Sequence, residues 1–168
     1  HKQRRQKARH GKHNFLTDQI FWNGSYWFIY MNSKAHVGST ESKLVLMKST
    51  DMQSWIYIKN FSGQGWDIRD PKFAIIHNKL YIYCLLNEGT MAAPRKTSYF
   101  YTEDGINFSD VKDIDSADGW LFWHPRTIDN LTWYVSSYWW EHGKTAIFNS
   151  TDGINWTKVC EIPAGKGN

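Results

Sequence analysis

At 168 residues and 41% hydrophobic content, the chain is long enough to bury one core of single-domain size. Its formal charge of +4 is set by Lys2, Arg4, Arg5, Lys7, Arg9 and Lys12 at the amino end. The remainder is slightly acidic, which excludes a nucleic-acid surface on the body. No stretch approaches a transmembrane span and the basic run is too polar for a signal peptide. With His1 in place of an initiator Met, the amino end is expected to be cut.

Residues 1–12 read as a solvated basic arm. Residues 19–22 and 25–31 then flank Asn23-Gly24, a strong hairpin signal. A looser segment carries His36, residues 43–48 give a third strand and 55–60 a fourth. A second unit opens at Gly65-Trp66-Asp67-Ile68-Arg69-Asp70-Pro71, turns at His77-Asn78-Lys79 and returns through 80–86. A loop with Glu88, Gly89 and Pro94 leads to a strand at 97–101 and a short fourth. The third unit opens as a strand over 120–128, turns at Asp129-Asn130 and climbs through 132–139. Beyond a loop at Glu141-His142-Gly143 it closes with 144–149 and 157–162. No segment has a helical period, so the class is all-β.

One short pattern recurs: S-T-D-M-Q-S-W at 49–55, T-E-D-G-I-N-F at 102–108 and S-T-D-G-I-N-W at 150–156. Its aspartates, Asp51, Asp104 and Asp152, recur at a period of about 50 residues, which in a chain of strands means propeller blades. The blades are expected at about 13–62, 63–116 and 117–168. An Asp side chain can accept from backbone N–H groups just ahead of it, Gly supplies a positive φ, and the closing aromatic (Trp55, Phe108 or Trp156) tucks under as a plug. These are structural turns rather than catalytic groups. In the first copy Gln53 is set against Gly105 and Gly153, so that turn is expected to be strained or of another type.

Ten Trp, nine Tyr and nine Phe suit strands, and an aromatic face can also stack on a sugar ring. Cys84 and Cys160 lack metal-ligand spacing and read as two buried thiols. Of six Asn-x-Ser/Thr sites, at Asn23, Asn60, Asn107, Asn130, Asn149 and Asn155, three lie in or beside the repeated turns, where turn chemistry explains them. No zinc, P-loop or Ser/Cys triad pattern occurs, and no cofactor or metal is expected.

Superimposing the units sets Asp18, Arg69 and His124 at the start of each innermost strand. In a propeller such groups converge on an axial pocket. Asp67, Arg69 and Asp70 are the sharpest candidates. By strand alternation Asp67 and Arg69 share a side and Asp70 faces away, unless Pro71 and a bulge re-aim it. Arg can fix an anionic sugar carboxylate in a bidentate pair, and a neighbouring carboxylate can act as acid or base. The plainer alternative is an Arg–Asp pair that ties two blades together. His124 and Arg126 are the third blade's candidates; His13, Asn14 and Asp18 are the first's. His36 could cover the rim, and Glu88, Glu141 and His142 lie on loops.

The repeated turns resemble the Asp-box repeats of the sialidase (neuraminidase) superfamily. H-N-F-L-T-D-Q-I-F-W-N-G-S-Y-W-F-I-Y at 13–30, the His36 loop and D-I-R-D-P-K-F together look like bacterial exo-α-sialidase propellers. The likeness covers residues 9–168. It implies a six-bladed propeller whose axial arginines hold a sialic-acid carboxylate, with an Asp as acid/base and a Tyr nucleophile activated by a Glu. On this chain it implies Arg69 and Arg126 as carboxylate-binding, and Asp70 or Asp18 as acid/base. The sequence departs from the pattern where Arg69 is followed by Asp-Pro instead of standing in an R-I-P-type motif, and no Tyr/Glu pair can be matched. About three blades are present, and Gly167-Asn168 falls where a fourth should begin. The expectation is an incomplete, inactive chain that needs missing blades or a second copy to close, with a carbohydrate ligand and an extracellular or periplasmic setting. Arg-Asp-Pro also resembles the motif of five-bladed furanosidase and fructosidase propellers, which lack the repeated turns. A non-catalytic glycan- or protein-binding propeller, with Trp139 and Trp140 among its aromatics, is the third possibility.

Overall fold

The computed structural model describes residues 13–87 and 96–162. The basic arm and the expected loop at Glu88, Gly89 and Pro94 lie outside the described residues. The strands are β1 (His13–Trp22), β2 (Ser25–Ser33), β3 (Lys43–Ser49), β4 (Ile56–Ser62), β5 (Asp67–Ile76), β6 (Lys79–Asn87), β7 (Lys96–Thr102), β8 (Lys112–Asp113), β9 (Trp120–Phe122), β10 (Arg126–Thr127), β11 (Trp133–Trp139), β12 (Thr145–Ser150) and β13 (Thr157–Ile162). They form three antiparallel sheets, β1-β2-β3-β4, β5-β6-β7-β8 and β10-β11-β12-β13, with β9 also paired to β11. A single 3-10 turn at Asp115–Ala117 is the one helical piece among the described residues. The protein is an all-β array of four-stranded propeller blades.

The first two hairpins close through two residues with positive φ, Asn23 (47°) with Gly24 (70°) and His77 (47°) with Asn78 (64°). This is the geometry whose twist matches that of the strands it joins. In the third blade the expected single strand at 120–128 is broken into β9 and β10 by Trp123-His124-Pro125. Pro125 has no N–H for the ladder.

Each repeated turn is built the same way. Asp51 Oδ1 accepts from the N–H groups of Gln53 and Ser54 at 2.8 and 2.7 Å. Asp104 Oδ1 accepts from Ile106 and Asn107, both at 2.8 Å, and Asp152 Oδ1 from Ile154 and Asn155, also both at 2.8 Å. The Asn107 and Asn155 amides donate to the second oxygen of their aspartates, which gives those sequon residues a turn role. The residue standing against Gly105 and Gly153 is Met52 rather than Gln53, and it takes the same positive φ, 59° against 75° and 79°. The first turn is therefore of the same type.

The structure also shows a fourth such turn that the sequence reading passed over. Thr127-Ile128-Asp129-Asn130-Leu131-Thr132-Trp133 has Asp129 Oδ1 accepting from Leu131 and Thr132 at 2.9 Å. It lies in the β10–β11 hairpin instead of between third and fourth strands. The Thr-x-Asp-x-x-x-Trp spacing was the available signal.

Glycine serves close approach in two of these turns. A Cβ on Gly105 would lie 2.7 Å from the Trp27 ring, and one on Gly153 2.5 Å from Ile76 Cδ1. Each turn thus docks on the preceding blade. Met52, in the first blade, is 48% exposed.

These turns carry an acid-dependent share of stability. Burial raises the Asp152 carboxyl, but hydrogen bonds from the Asn155 side chain, the Ile154 and Asn155 N–H groups and the Ser150 hydroxyl outweigh it, bringing it from 3.8 to about 2. The Ile106 and Asn107 N–H groups hold Asp104 far below the ordinary carboxylate range. Backbone N–H groups of Ser54 and Gln53 lower Asp51, and those of Thr132 and Leu131 lower Asp129. A carboxyl whose folded pKa is depressed contributes stability that is complete above its unfolded value and is lost as pH falls through the folded one. The urea midpoint should hold down to about pH 4 and then fall steadily to about pH 2. Asp152→Asn should flatten part of that slope, and a slope unchanged in the variant would deny the turn this role.

Period-2 alternation explains the core. On β6, Leu80, Ile82, Cys84 and Leu86 join Trp27, Ile29, Met31, Leu44, Leu46 and Phe100 between the first and second blades. From the same strand Tyr81 and Tyr83 join Trp120, Phe122, Trp133, Val135 and Phe148 between the second and third. The outermost β13 is exposed along its whole length. Cys160 on it is therefore exposed, contrary to the expectation of two buried thiols, while Cys84 is buried; both are free.

Candidate functional site

Every innermost strand carries one extra residue. Phe15 pairs with Met31 and Thr17 with Tyr30, leaving Leu16 unpaired at φ 52°. Arg69 pairs with Leu85 and Lys72 with Tyr83, so Asp70 and Pro71 oppose Cys84 alone, with Asp70 at φ 57°. In the third blade Phe122 pairs with Ser137 and Arg126 with Tyr134, so three residues oppose two. Such bulges bend a strand and re-aim its side chains.

The bulges also settle which residues correspond. Tyr26, Leu80 and Trp133 pair with Ser49, Thr102 and Ser150, the first residues of the repeated turns. Across the inner hairpins they pair with Phe21, Ile75 and Thr127. Counting back from these, Asp18 corresponds to Lys72 and His124. The sequence superposition, which set Arg69 in that place, is corrected by three residues.

These three positions do converge. Asp18 Oδ2 accepts from the Phe73 N–H at 2.7 Å and lies 3.2 Å from His124 Nε2, which is 3.0 Å from the Phe73 carbonyl oxygen. Both neighbours of that nitrogen accept, so Nε2 carries the proton. First, second and third blades thus meet at one point. Lys72 Nζ sits 2.7 Å from Asp70 Oδ1 and 4.3 Å from the Trp123 ring centroid. Asp18 Oδ1 and Asp70 Oδ2 accept from no described residue.

Arg69 adjoins this cluster. It is 9% exposed; its Nη2 donates to the His36 carbonyl oxygen at 3.3 Å, and its Nη1 is 3.8 Å from Asp67 Oδ2, beyond hydrogen-bond range. Asp67 is wholly buried and accepts from the Gly38 N–H at 2.8 Å and the Asn87 amide at 3.1 Å. It holds the His36 loop from beneath Arg69. In this position Asp67 supports the loop. The His36 ring stacks on Phe15 at 4.9 Å, with His13 edge-on to the same ring at 6.2 Å, so both histidines flank Phe15. Arg126 is exposed and forms no ion pair with a described residue. Glu141 accepts from the Trp139 indole N–H at 3.2 Å, and His142 stacks on Tyr138.

Lys72, Trp123 and Tyr138 were not anticipated. Burial raises the Tyr138 phenol, the charge of Asp70 adds to the rise and that of Arg69 offsets it. Among the described residues no group of three His, Cys, Asp or Glu could hold a metal ion, and no described helix is long and apolar enough to cross a membrane. A cleft of about 630 Å³ runs elsewhere, along the short β8, past Trp66, Lys96, Lys112, Asp113 and Asn155. None of the axial residues lines it.

No protein-family model and no curated protein sequence matches the chain. Solved structures match its shape. A Hadza microbial sialidase superposes with a TM-score of 0.69 at 14% identity, over 90% of this chain and 39% of its own. The fold is that of propeller glycosidases. An N-acetylgalactosamine deacetylase from F. plautii, solved with blood group B trisaccharide, gives 0.67 at 13% identity, over 88% of this chain and 52% of its own. A Bombyx mori β-fructofuranosidase solved with sucrose gives 0.65 at 12% identity, over 90% and 35%. The chain spans between about a third and about half of the length of these proteins.

Proposed function

We propose that the chain forms part of the axial site of a sialidase-type exo-glycoside hydrolase that removes a terminal acidic sugar from a glycan. The observation that carries this reading is Arg69: a guanidinium 9% exposed, fixed through one donor by the His36 carbonyl and ion-paired to Asp67 at 3.8 Å, with no carboxylate of a described residue in hydrogen-bond range. A buried guanidinium short of acceptors is suited to a planar anion such as a sugar carboxylate. Asp70 and Asp18 supply the acid/base group, each from an inner strand. The repeated turns, four by their hydrogen bonds, support the Asp-box likeness.

The test is hydrolysis of a fluorogenic sialoside by the encoded protein. Asp70→Asn should lower turnover by about 10²–10⁴-fold, while Arg69→Ala should abolish saturation without unfolding the protein. Sialoside binding without turnover would replace the hydrolase with a glycan-binding propeller. Asp70 within Arg-Asp-Pro, carried on its bulge, favours a furanosidase as the second reading. That reading needs a third carboxylate, and His124 stands at the third blade's position. Cleavage of sucrose or an arabinoside with no action on sialosides would select it.

A further inference from the structure

We propose that the open face of Trp123 is the floor of a subsite for an uncharged sugar ring beside the cluster of Asp18, Lys72 and His124, with the Lys72–Asp70 pair capping the indole's other face. The proposal rests on the reading that this cluster handles glycans, and adds where a neutral ring sits. Trp123 is 52% exposed, yet it is not on a loose loop. Its N–H donates to the Ser136 carbonyl oxygen at 2.9 Å. The next residue, His124, is tied to Phe73 and Asp18 at 3.0 and 3.2 Å, and Pro125 is buried. A large aromatic held rigidly in the open gains little from packing and leaves an apolar plate toward solvent.

The surroundings narrow what that plate can take. Lys72 Nζ already occupies the cation position, 4.3 Å from the ring centroid, so a cationic ligand would meet a like charge. Asp70 neutralises that ammonium at 2.7 Å, so the pair offers no net charge to an anion. An apolar plate capped on one face by a fixed, neutral ion pair and open on the other matches a pyranose, whose C–H face can stack on the open side.

The test is indole-region NMR on the ¹⁵N-labelled chain, titrated with lactose and with sialyllactose, the Trp123 signal being assigned from its loss in Trp123→Phe. The signal should shift with lactose, and affinity for lactose should fall about tenfold in Trp123→Ala and less in Trp123→Phe, with unchanged thermal unfolding in the Phe variant. A Trp123 signal unmoved by both sugars, or equal lactose affinity in Trp123→Ala, overturns the subsite. Sialyllactose bound through Arg69 with Trp123 unmoved also overturns it, and leaves the acidic-sugar reading standing. A Trp123 shift with lactose, with no sialyllactose preference lost in Arg69→Ala, supports the subsite and removes the acidic-sugar reading.

Discussion

Phe100→Ala is expected to lower unfolding free energy by about 3–5 kcal/mol, read as a fall in urea midpoint at unchanged m. Phe100 is fully buried between the first and second blades, with its ring centroid 4.2 Å from that of Phe61. Removing it leaves a ring-sized cavity walled by two sheets, each held in its own ladder and unable to collapse into the gap. A domain's whole stability is about 5–15 kcal/mol, so the variant should be marginal at room temperature. Ile128→Ala is the control. Ile128 is 96% exposed, and its loss should change stability by less than about 0.5 kcal/mol. Similar losses in the two variants would mean that the blades do not pack as described.

Gly153→Val should cost about 2–4 kcal/mol, from overpacking and backbone strain together. The new Cβ would lie 2.5 Å from Ile76 Cδ1 and 3.0 Å from the Tyr83 hydroxyl oxygen, at φ +79°. Tyr83 also donates to the Gly153 carbonyl oxygen at 2.7 Å, so the turn cannot lift away without breaking a buried hydrogen bond. Gly143→Ala isolates the strain. That glycine has φ +78° with nothing within 4 Å of a Cβ, and the change should cost about 1 kcal/mol. If Gly153→Val cost no more than Gly143→Ala, the third blade's turn would not be seated on the second blade.

The turns were legible because their chemistry is local. Asp104 accepts from N–H groups two and three residues ahead, so residue types at fixed spacing suffice to read them. The fourth turn, at Asp129, obeyed the same rule and was missed because it breaks the period of about 50 residues that drew the eye to the others. Strand order was legible for the same reason: short turns between alternating runs leave antiparallel neighbours little choice.

The cluster around Asp18 was legible only in part. Asp18, Arg69, Asp70, His124 and His36 stand out by type and position, and the structure sets Asp18 against His124 and Arg69 against the His36 carbonyl. Lys72 and Trp123 do not stand out, because each innermost strand carries a bulge whose place is set by its partner strand. A one-residue shift turns every later side chain to the other face.

By itself, then, the sequence determined the all-β class, the blade repeat and the turn aspartates, all of which rest on contacts a few residues apart. Only the tertiary structure decided that Lys72 matches Asp18 and His124, that Asp67 is buried against Gly38 and Asn87, and that Cys160 is exposed. Those outcomes depend on where a bulge falls and which face a neighbouring blade covers, and both are set by residues far away in the chain.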